Sequence, residues 1–439
     1  MERGTEKPRP VPRLGWYGDD FTGATDTLAA LAKAGQRALL FLDRPDAARL
    51  ESVGPLDAVG IAGASRTLAP AAMAVELEPA GRFFAELGVR VMHYKCCSTF
   101  DSAPRIGSIG AAVRALRPFF ANPFVPVVGG QPNIGRYCLF GTLFAAAGAG
   151  GIVHRIDRHP TMRVHPVTPM TEADLRLHLA AQGLEGMAAL PYTDYDGDPA
   201  ATLDRLLESA PPAVLLDIGR PADLAVAGRL IWSHAQRAPL LAVGPSSVAQ
   251  ALTAHWDGET RDGGASPDDT PLARTDGPVF VMAGSLSPVT RRQIEVAGSF
   301  VRLQADAARL CGDPAYAESL LTEVTVHLRD GRHTLVWTAP ADAATADTGR
   351  AGDVAAATAA FVAAVLRAAP LRRVGIAGGD TSSLAVRALG CWGLSYRTAL
   401  SPGVTVSRTH GDDPATDGLE LMLKGGQMGP DDLFERLLG

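Results

Sequence analysis

Two neighbouring carboxylates in Gly18-Asp19-Asp20-Phe21-Thr22-Gly23-Ala24-Thr25-Asp26 are the first residues whose type and spacing suit catalysis. One could accept a proton from a substrate hydroxyl while the other orients it or helps hold a metal. Thr22 and Gly23 offer backbone N–H groups that could meet an anion. Helix capping by Asp20 or Thr22 accounts for one polar residue but hardly for a pair. Asp19 and Asp20 are therefore the catalytic candidates, with no metal ligand assigned.

A second block, Tyr94-Lys95-Cys96-Cys97-Ser98-Thr99-Phe100-Asp101-Ser102, continues to Arg105-Ile106-Gly107-Ser108. Hydroxyls, an acid and a lysine gathered before a helix suit a hydroxylated, anionic small molecule. A Ser/Thr-rich turn with caps is the plainer reading. Adjacent cysteines lack zinc spacing, so both are expected to pack in the interior. Arg66, after Ser65, could clamp a carboxylate bidentately or form an ordinary salt bridge. His154, His159 and His165 are too irregularly spaced for a metal and read as a basic loop. Of these, His165 could contact a substrate phosphate or carboxylate.

The last third supplies three glycine turns: Ala283-Gly284-Ser285-Leu286-Ser287, Gly378-Gly379-Asp380-Thr381-Ser382-Ser383 and Lys424-Gly425-Gly426-Gln427. Glycine admits close backbone approach, and N–H groups at a helix start attract phosphate. One such turn means little, but three in one domain are better evidence of phosphate binding. Neither GxxxxGK[ST] nor a complete GxGxxG lies at a strand-to-helix junction, which disfavours a P-loop or a dinucleotide fingerprint. Gly148-Ala149-Gly150-Gly151 reads as a helix C-cap before a strand. Only four lysines occur, Lys7, Lys33, Lys95 and Lys424, and two of them fall inside these motifs.

The elements that must position these residues are short apolar strands alternating with amphipathic helices. Strands are predicted at Leu14–Gly18, Ala38–Leu42, Ala58–Ala62, Val89–Tyr94, Phe124–Val128, Val214–Ile218, Val279–Ala283, Thr334–Thr338 and Arg373–Ala377. Helices are predicted from the acidic turn to Gly35, over Ile109–Leu116, after Pro288, over about Val354–Ala368 and over Leu384–Leu389. The pattern predicts an α/β fold of two domains, each with a largely parallel sheet flanked by helices. Residues 1–12 read as a disordered tail, 13–254 as one domain, 255–277 as a Gly/Asp/Pro/Thr-rich linker and 278–439 as a second domain.

A length of 439 residues, 46% apolar and 20% charged, fits a globular protein with a sizeable core. The net charge of −6 disfavours nucleic acid as a partner. Five cysteines without a CxxC pair suit a reducing cytoplasm. No apolar run is long enough to cross a membrane, and the start lacks the apolar stretch of a secretory signal. A homo-oligomer is left open.

Taken together, the blocks resemble the four-carbon acid sugar kinase family over nearly the whole chain. The likeness runs from GDDFTGATD through KCCSTFDS, PNIGRYCLFGTLF and HPVTPMTEADL to GSLSPVT, GGDTSS, SPGV and LKGGQMG. It implies an N-terminal substrate domain, a C-terminal nucleotide domain and phosphorylation of hydroxy- or oxo-acid sugars with ATP and a divalent metal, here Mg²⁺. It places substrate recognition on Asp19, Asp20, Arg66, Lys95, Ser98, Thr99 and Asp101. It places ATP on Ser285, on Gly378, Gly379, Asp380 and Thr381, and on Gly426. The CSTFDS wording is nearest the 3-oxo-tetronate kinase branch. A kinase for a branched acid such as 3-oxo-isoapionate is the alternative, ahead of an NAD-dependent dehydrogenase or a sugar-acid sensor. Leu286, Gly425 and Asp380 depart from common wording on the nucleotide side. Arg105-Ile106-Gly107-Ser108 departs on the substrate side.

Overall fold

Eighteen strands build the molecule in a computed structural model that describes residues 11–148, 150–165, 167–257, 271–284, 287–339, 351–426 and 428–439. The N-terminal half contributes β1 (Leu14–Gly18), β2 (Ala38–Phe41), β3 (Ala58–Ala62), β4 (Val91–Lys95) and β5 (Pro126–Gly129). It continues with β6 (Arg136–Leu139), β7 (Thr142–Ala146), β8 (Val153–Arg155), β9 (Ala188–Leu190), β10 (Val214–Asp217) and β11 (Leu240–Gly244). The C-terminal half contributes β12 (Phe280–Ala283), β13 (Val301–Asp306), β14 (Thr334–Ala339) and β15 (Arg373–Ala377). It ends with β16 (Cys391–Ser401), β17 (Val404–Gly411) and β18 (Glu420–Lys424).

The α/β pattern is present in both halves. β2-β3-β1-β4-β11-β5-β10-β9 are parallel throughout, and so are β13-β14-β12-β15-β18. The two sets do not stand apart. They form one 15-stranded sheet because β17 and β16 add antiparallel to β18, and β16 then pairs antiparallel with β2. This seam is short, joining Gly393 to Phe41 and Leu394 to Leu40. Phe41 stacks on Trp392 at 5.9 Å, and Arg49 crosses the seam to grip both oxygens of Asp412.

Strand alternation explains where the core lies. Leu14 and Trp16 point to an apolar layer that runs under both halves, joined there by Phe280 and Met282. Tyr17, Met92 and Tyr94 point to a separate core in the N-terminal half, and Val281 and Ala283 to one in the C-terminal half. Truncating a fully buried aromatic such as Trp16 would cost about 3–5 kcal/mol.

One reading is corrected. Gly148, Gly150 and Gly151 do not cap a helix; they turn β7 into β8 within a separate antiparallel sheet, β6-β7-β8. The alanine-rich approach suggested a helix by propensity, but cross-strand pairing decided otherwise. Residues 1–10, most of the proposed linker, Ser285 and Leu286 lie outside the described residues. Among the described residues no helix is long and apolar enough to cross a membrane. All five cysteines are free thiols.

Candidate active site

The first cluster forms because three adjacent strands end in register. Gly18 of β1 pairs with Ala62 of β3 on one side and Lys95 of β4 on the other. The turns after them therefore leave the same carboxyl edge of the sheet, the usual place for a site in this architecture. Backbone bonds tie the turns together: Asp19 N–H donates to Lys95 O (2.9 Å), and Arg66 N–H to Asp19 O (3.2 Å).

Arg66 joins the two carboxylates. Its Nε and Nη2 donate to the two oxygens of Asp19 at 3.1 and 2.8 Å, and Nη1 meets Asp20 Oδ2 at 2.7 Å. The other oxygen of Asp20 accepts from Gly23 N–H at 2.7 Å and so caps the helix Phe21–Lys33. Asp20 thus both caps and carries charge, where the sequence set these roles as alternatives. Gly23 leaves room for the cluster, since a Cβ there would force Lys95 Nζ and Asp20 Oδ1 to shift.

The charges separate the pair electrostatically. Burial, reinforced by the neighbouring Asp20 charge, lifts Asp19 above the usual carboxylate value despite Arg66. Burial also pushes Asp20 upward, but Arg66, Lys95 and the Gly23 N–H outweigh it and hold it below that value. For Lys95, burial works against the charge, yet Asp20 and Asp19 outweigh it and raise the ammonium. The side chain of Asp20 is 19% exposed and that of Asp19 only 6%. Access and electrostatics therefore favour different members of the pair. Geometry ranks first for a base, which favours Asp20.

The rest of the second block folds back beside this cluster. Thr99 Oγ1 donates to Asp101 Oδ1 at 2.6 Å and lies 3.0 Å from Cys97 Sγ. Asp101 lies near enough to help raise the Arg66 guanidinium, although burial and the two aspartates dominate that balance. Ser98 is half-buried on the same turn. Cys96 is buried as expected, whereas Cys97 is only partly so. Burial raises both thiols, Cys97 to about 11, which leaves them protonated and poor nucleophiles.

The glycine turns also converge for a topological reason. β12, β15 and β18 are adjacent and parallel, so the segments after Ala283, Ala377 and Lys424 leave one edge together. Gly284 N–H donates to Ala377 O (2.8 Å) and Gly378 N–H to Lys424 O (2.9 Å). Gly378, at φ 127°, needs a residue without Cβ, and it starts the helix Gly379–Ala388, whose first backbone turn carries Asp380 and Thr381. Gly426 O accepts from Ser287 Oγ and from Thr290 Oγ1, the latter at 3.0 Å. Lys424 is fully buried and donates to Thr290 Oγ1 (2.8 Å) and Gln293 Oε1 (2.6 Å). Burial pushes its ammonium down to about 7. Ser285 lies outside the described residues.

A cavity of about 680 Å³ lies between the halves; of the first cluster only Thr99 lines it, Asp19, Asp20, Arg66 and Lys95 do not, and the glycine turns meet it only through Met428 and Gly429, just beyond Gly426. Thr99, Asn133, Arg136 and His159 line it from the N-terminal half, Met428 and Gly429 from the C-terminal half. His165 is not among its lining residues; its Nδ1 accepts from the Thr168 N–H and lies 3.0 Å from the Thr168 hydroxyl. Arg136 and His159 were given no role from sequence. A signal was present in Arg136, a cation in a quoted motif with no acid beside it.

Two family models match the chain. Residues 14–252 match the model of a sugar-binding N-terminal domain, and residues 280–434 that of a nucleotide-binding C-terminal domain. The chain belongs to the four-carbon acid sugar kinase family, phosphotransferases with an alcohol group as acceptor. It is 38% identical over 445 residues to the 3-oxo-isoapionate kinase of Paraburkholderia graminis, covering 96% of this chain and 93% of that one. It is 32% identical to the 3-oxo-tetronate kinase of Cupriavidus necator, covering 100% and 99%. A protein of Salmonella typhimurium LT2, crystallised under the description of a tRNA synthase, shares the fold at TM-score 0.78 and 25% identity, covering 96% of this chain and 98% of that one. Haemophilus influenzae protein HI1011 does so at 0.71 and 24%, with the same coverage.

Proposed function

We propose that this acid sugar kinase transfers the γ-phosphoryl group of ATP to a hydroxyl of an oxo-acid sugar bound in the cavity. The observation that carries this reading is the opposition of two unlike walls across one space. Thr99, beside the carboxylate cluster, lies on one side, and the segment after Gly426 lies on the other. The wording of the lysine block favours 3-oxo-tetronate. The higher identity to the 3-oxo-isoapionate kinase favours the branched acid, which we place first.

Phosphoryl transfer asks the protein for in-line positioning and charge stabilisation more than for covalent help. The high thiol values of Cys96 and Cys97 agree with a direct transfer. Asp20 serves as the base or orienting group for the acceptor hydroxyl. Its depressed value is no obstacle, because a loose transition state needs little proton abstraction early. Asp19 keeps Arg66 in place, and Lys95 faces the transferring group. On the other wall, backbone N–H groups of Gly378–Thr381 and of the turn at Gly426 receive the ATP phosphates. Magnesium, which neutralises phosphate charge, binds mainly through phosphate and water with one or two carboxylates.

The test is ADP release with ATP and magnesium across a panel containing 3-oxo-isoapionate, 3-oxo-tetronate and their reduced acids. Release stimulated by an oxo acid is expected, with the larger kcat/KM on 3-oxo-isoapionate. Stimulation by none of them would refute the reading, and a preference for 3-oxo-tetronate would reverse the order of substrates.

A further inference from the structure

The cavity wall carries a guanidinium whose partners are incomplete. Arg136, at the start of β6, spends Nη1 on the carbonyls of Ile134 (2.7 Å) and Ala146 (3.3 Å). Its Nε is buried without a hydrogen-bond partner, and Nη2 makes no bond among the described residues. Burial lowers its affinity for the proton, offset only slightly by Cys97 and Tyr137, with no carboxylate in the balance. His159 stands on the same wall, its Nε2 3.4 Å from Ala146 O, the carbonyl that Arg136 also reaches. Its Nδ1 accepts the N–H groups of Thr161 and Met162. Neutral His159 thus helps hold the carbonyl that fixes one corner of the guanidinium.

Arg66 shows what this edge does when it is satisfied. There the Nε and Nη2 donors take both oxygens of Asp19 side-on. That geometry is the bidentate fit of guanidinium to carboxylate. In Arg136 the same edge has no carboxylate, and a buried unpaired donor is costly to keep. The described residues supply none, so a ligand in the cavity is the natural source. A carboxylate suits the planar edge, and Arg136 lies within the half that matches the sugar-binding model.

We infer that Arg136 is the anchor for the carboxylate of the acid sugar, gripping it through the Nε–Nη2 edge. The inference rests on the acid sugar reading and deepens it. Arg66, committed to Asp19 and Asp20, then acts as a positioning residue and not as the substrate clamp.

The test titrates D-erythronate, L-threonate and uncharged erythritol into the full chain and into Arg136→Met and Arg136→Lys, without nucleotide. The wild type should bind an acid in preference to erythritol. Arg136→Met should weaken the acid by about 30-fold or more, to the level of erythritol, with ATP affinity within about threefold of wild type. Arg136→Lys, which keeps charge but loses the fork, should fall between them. Unchanged acid affinity in either variant overturns the inference, as does a wild type that binds neither acid. Weakening of ATP without weakening of the acid also overturns it, since the anion held would be phosphate. Should Arg136→Met fail to fold, the lysine variant decides. If the wild type binds the acids but releases no ADP with ATP, the kinase reading fails while this inference stands.

Discussion

Two buried lysines face opposite circumstances. Lys95 lies beside Asp19 and Asp20, which overcome its burial and keep it charged. Lys424 donates to two neutral oxygens, and burial alone sets its value near 7. The cluster at the ends of β1, β3 and β4 thus brings its own negative charge and is balanced before any ligand arrives. On the proposed function, the C-terminal half holds in Lys424 a buried cation whose charge a phosphate bound nearby would favour. A protein that joins an acceptor to a nucleotide needs one wall organised in advance and one that responds to a polyanion.

The strongest way to break this comparison is Asp20→Asn. Asparagine still caps a helix, so the substitution removes charge while sparing the helix start. Turnover should fall ~10²–10⁴-fold with little change in melting temperature. Activity within a fewfold of wild type for both this variant and Asp19→Asn would remove the base from the acidic turn.

Arg66→Met attacks the balance of the first wall. It strands two buried carboxylates, and breaking a buried pair costs about 3–5 kcal/mol. Denaturant unfolding should show that loss, and a value below about 1 kcal/mol would mean that the cluster is solvated.

Lys424→Met examines the second wall through pH. A lysine whose folded value is lowered to about 7 binds fewer protons folded than unfolded between about 7 and its ordinary value near 10.5. Wild-type stability relative to the variant should therefore rise across that window, by up to about 1.4 kcal/mol per pH unit. A flat difference between pH 7 and 9 would show that Lys424 stays charged in the folded protein. Ser108→Ala is the mildest change. It removes the cap of the helix Ile109–Leu116, where Ser108 Oγ accepts from Ala111 N–H at 3.1 Å, and should cost about 1 kcal/mol in thermal unfolding.

Legibility in the sequence followed burial. β1, β3 and β15 match the predicted bounds because parallel strands covered on both faces read as short apolar runs ended by polar or glycine turns. The helix Ile109–Leu116 was equally plain, since Ser108 caps it and its apolar stripe is regular. The β6-β7-β8 sheet was not read, because its strands are short and partly exposed and β7 runs into an alanine-glycine stretch. The β16–β17 hairpin was not read either, and with it went the seam that makes one sheet of two. At the site, Asp19, Asp20, Arg66 and Lys95 could be named from their motifs, but not that Arg66 is already engaged by both aspartates. Arg136 escaped because a missing partner becomes visible only in three dimensions.

On the proposed function, acceptor and nucleotide occupy opposite walls of the cavity. Steady-state ADP release, with KM measured separately for ATP and for 3-oxo-isoapionate in wild type and Lys424→Met, tests it most directly. Release should depend on the oxo acid, and in the variant KM for ATP should rise while KM for the acid stays within about twofold. No release with any oxo-acid sugar, or a rise confined to the KM of the acid, would contradict it.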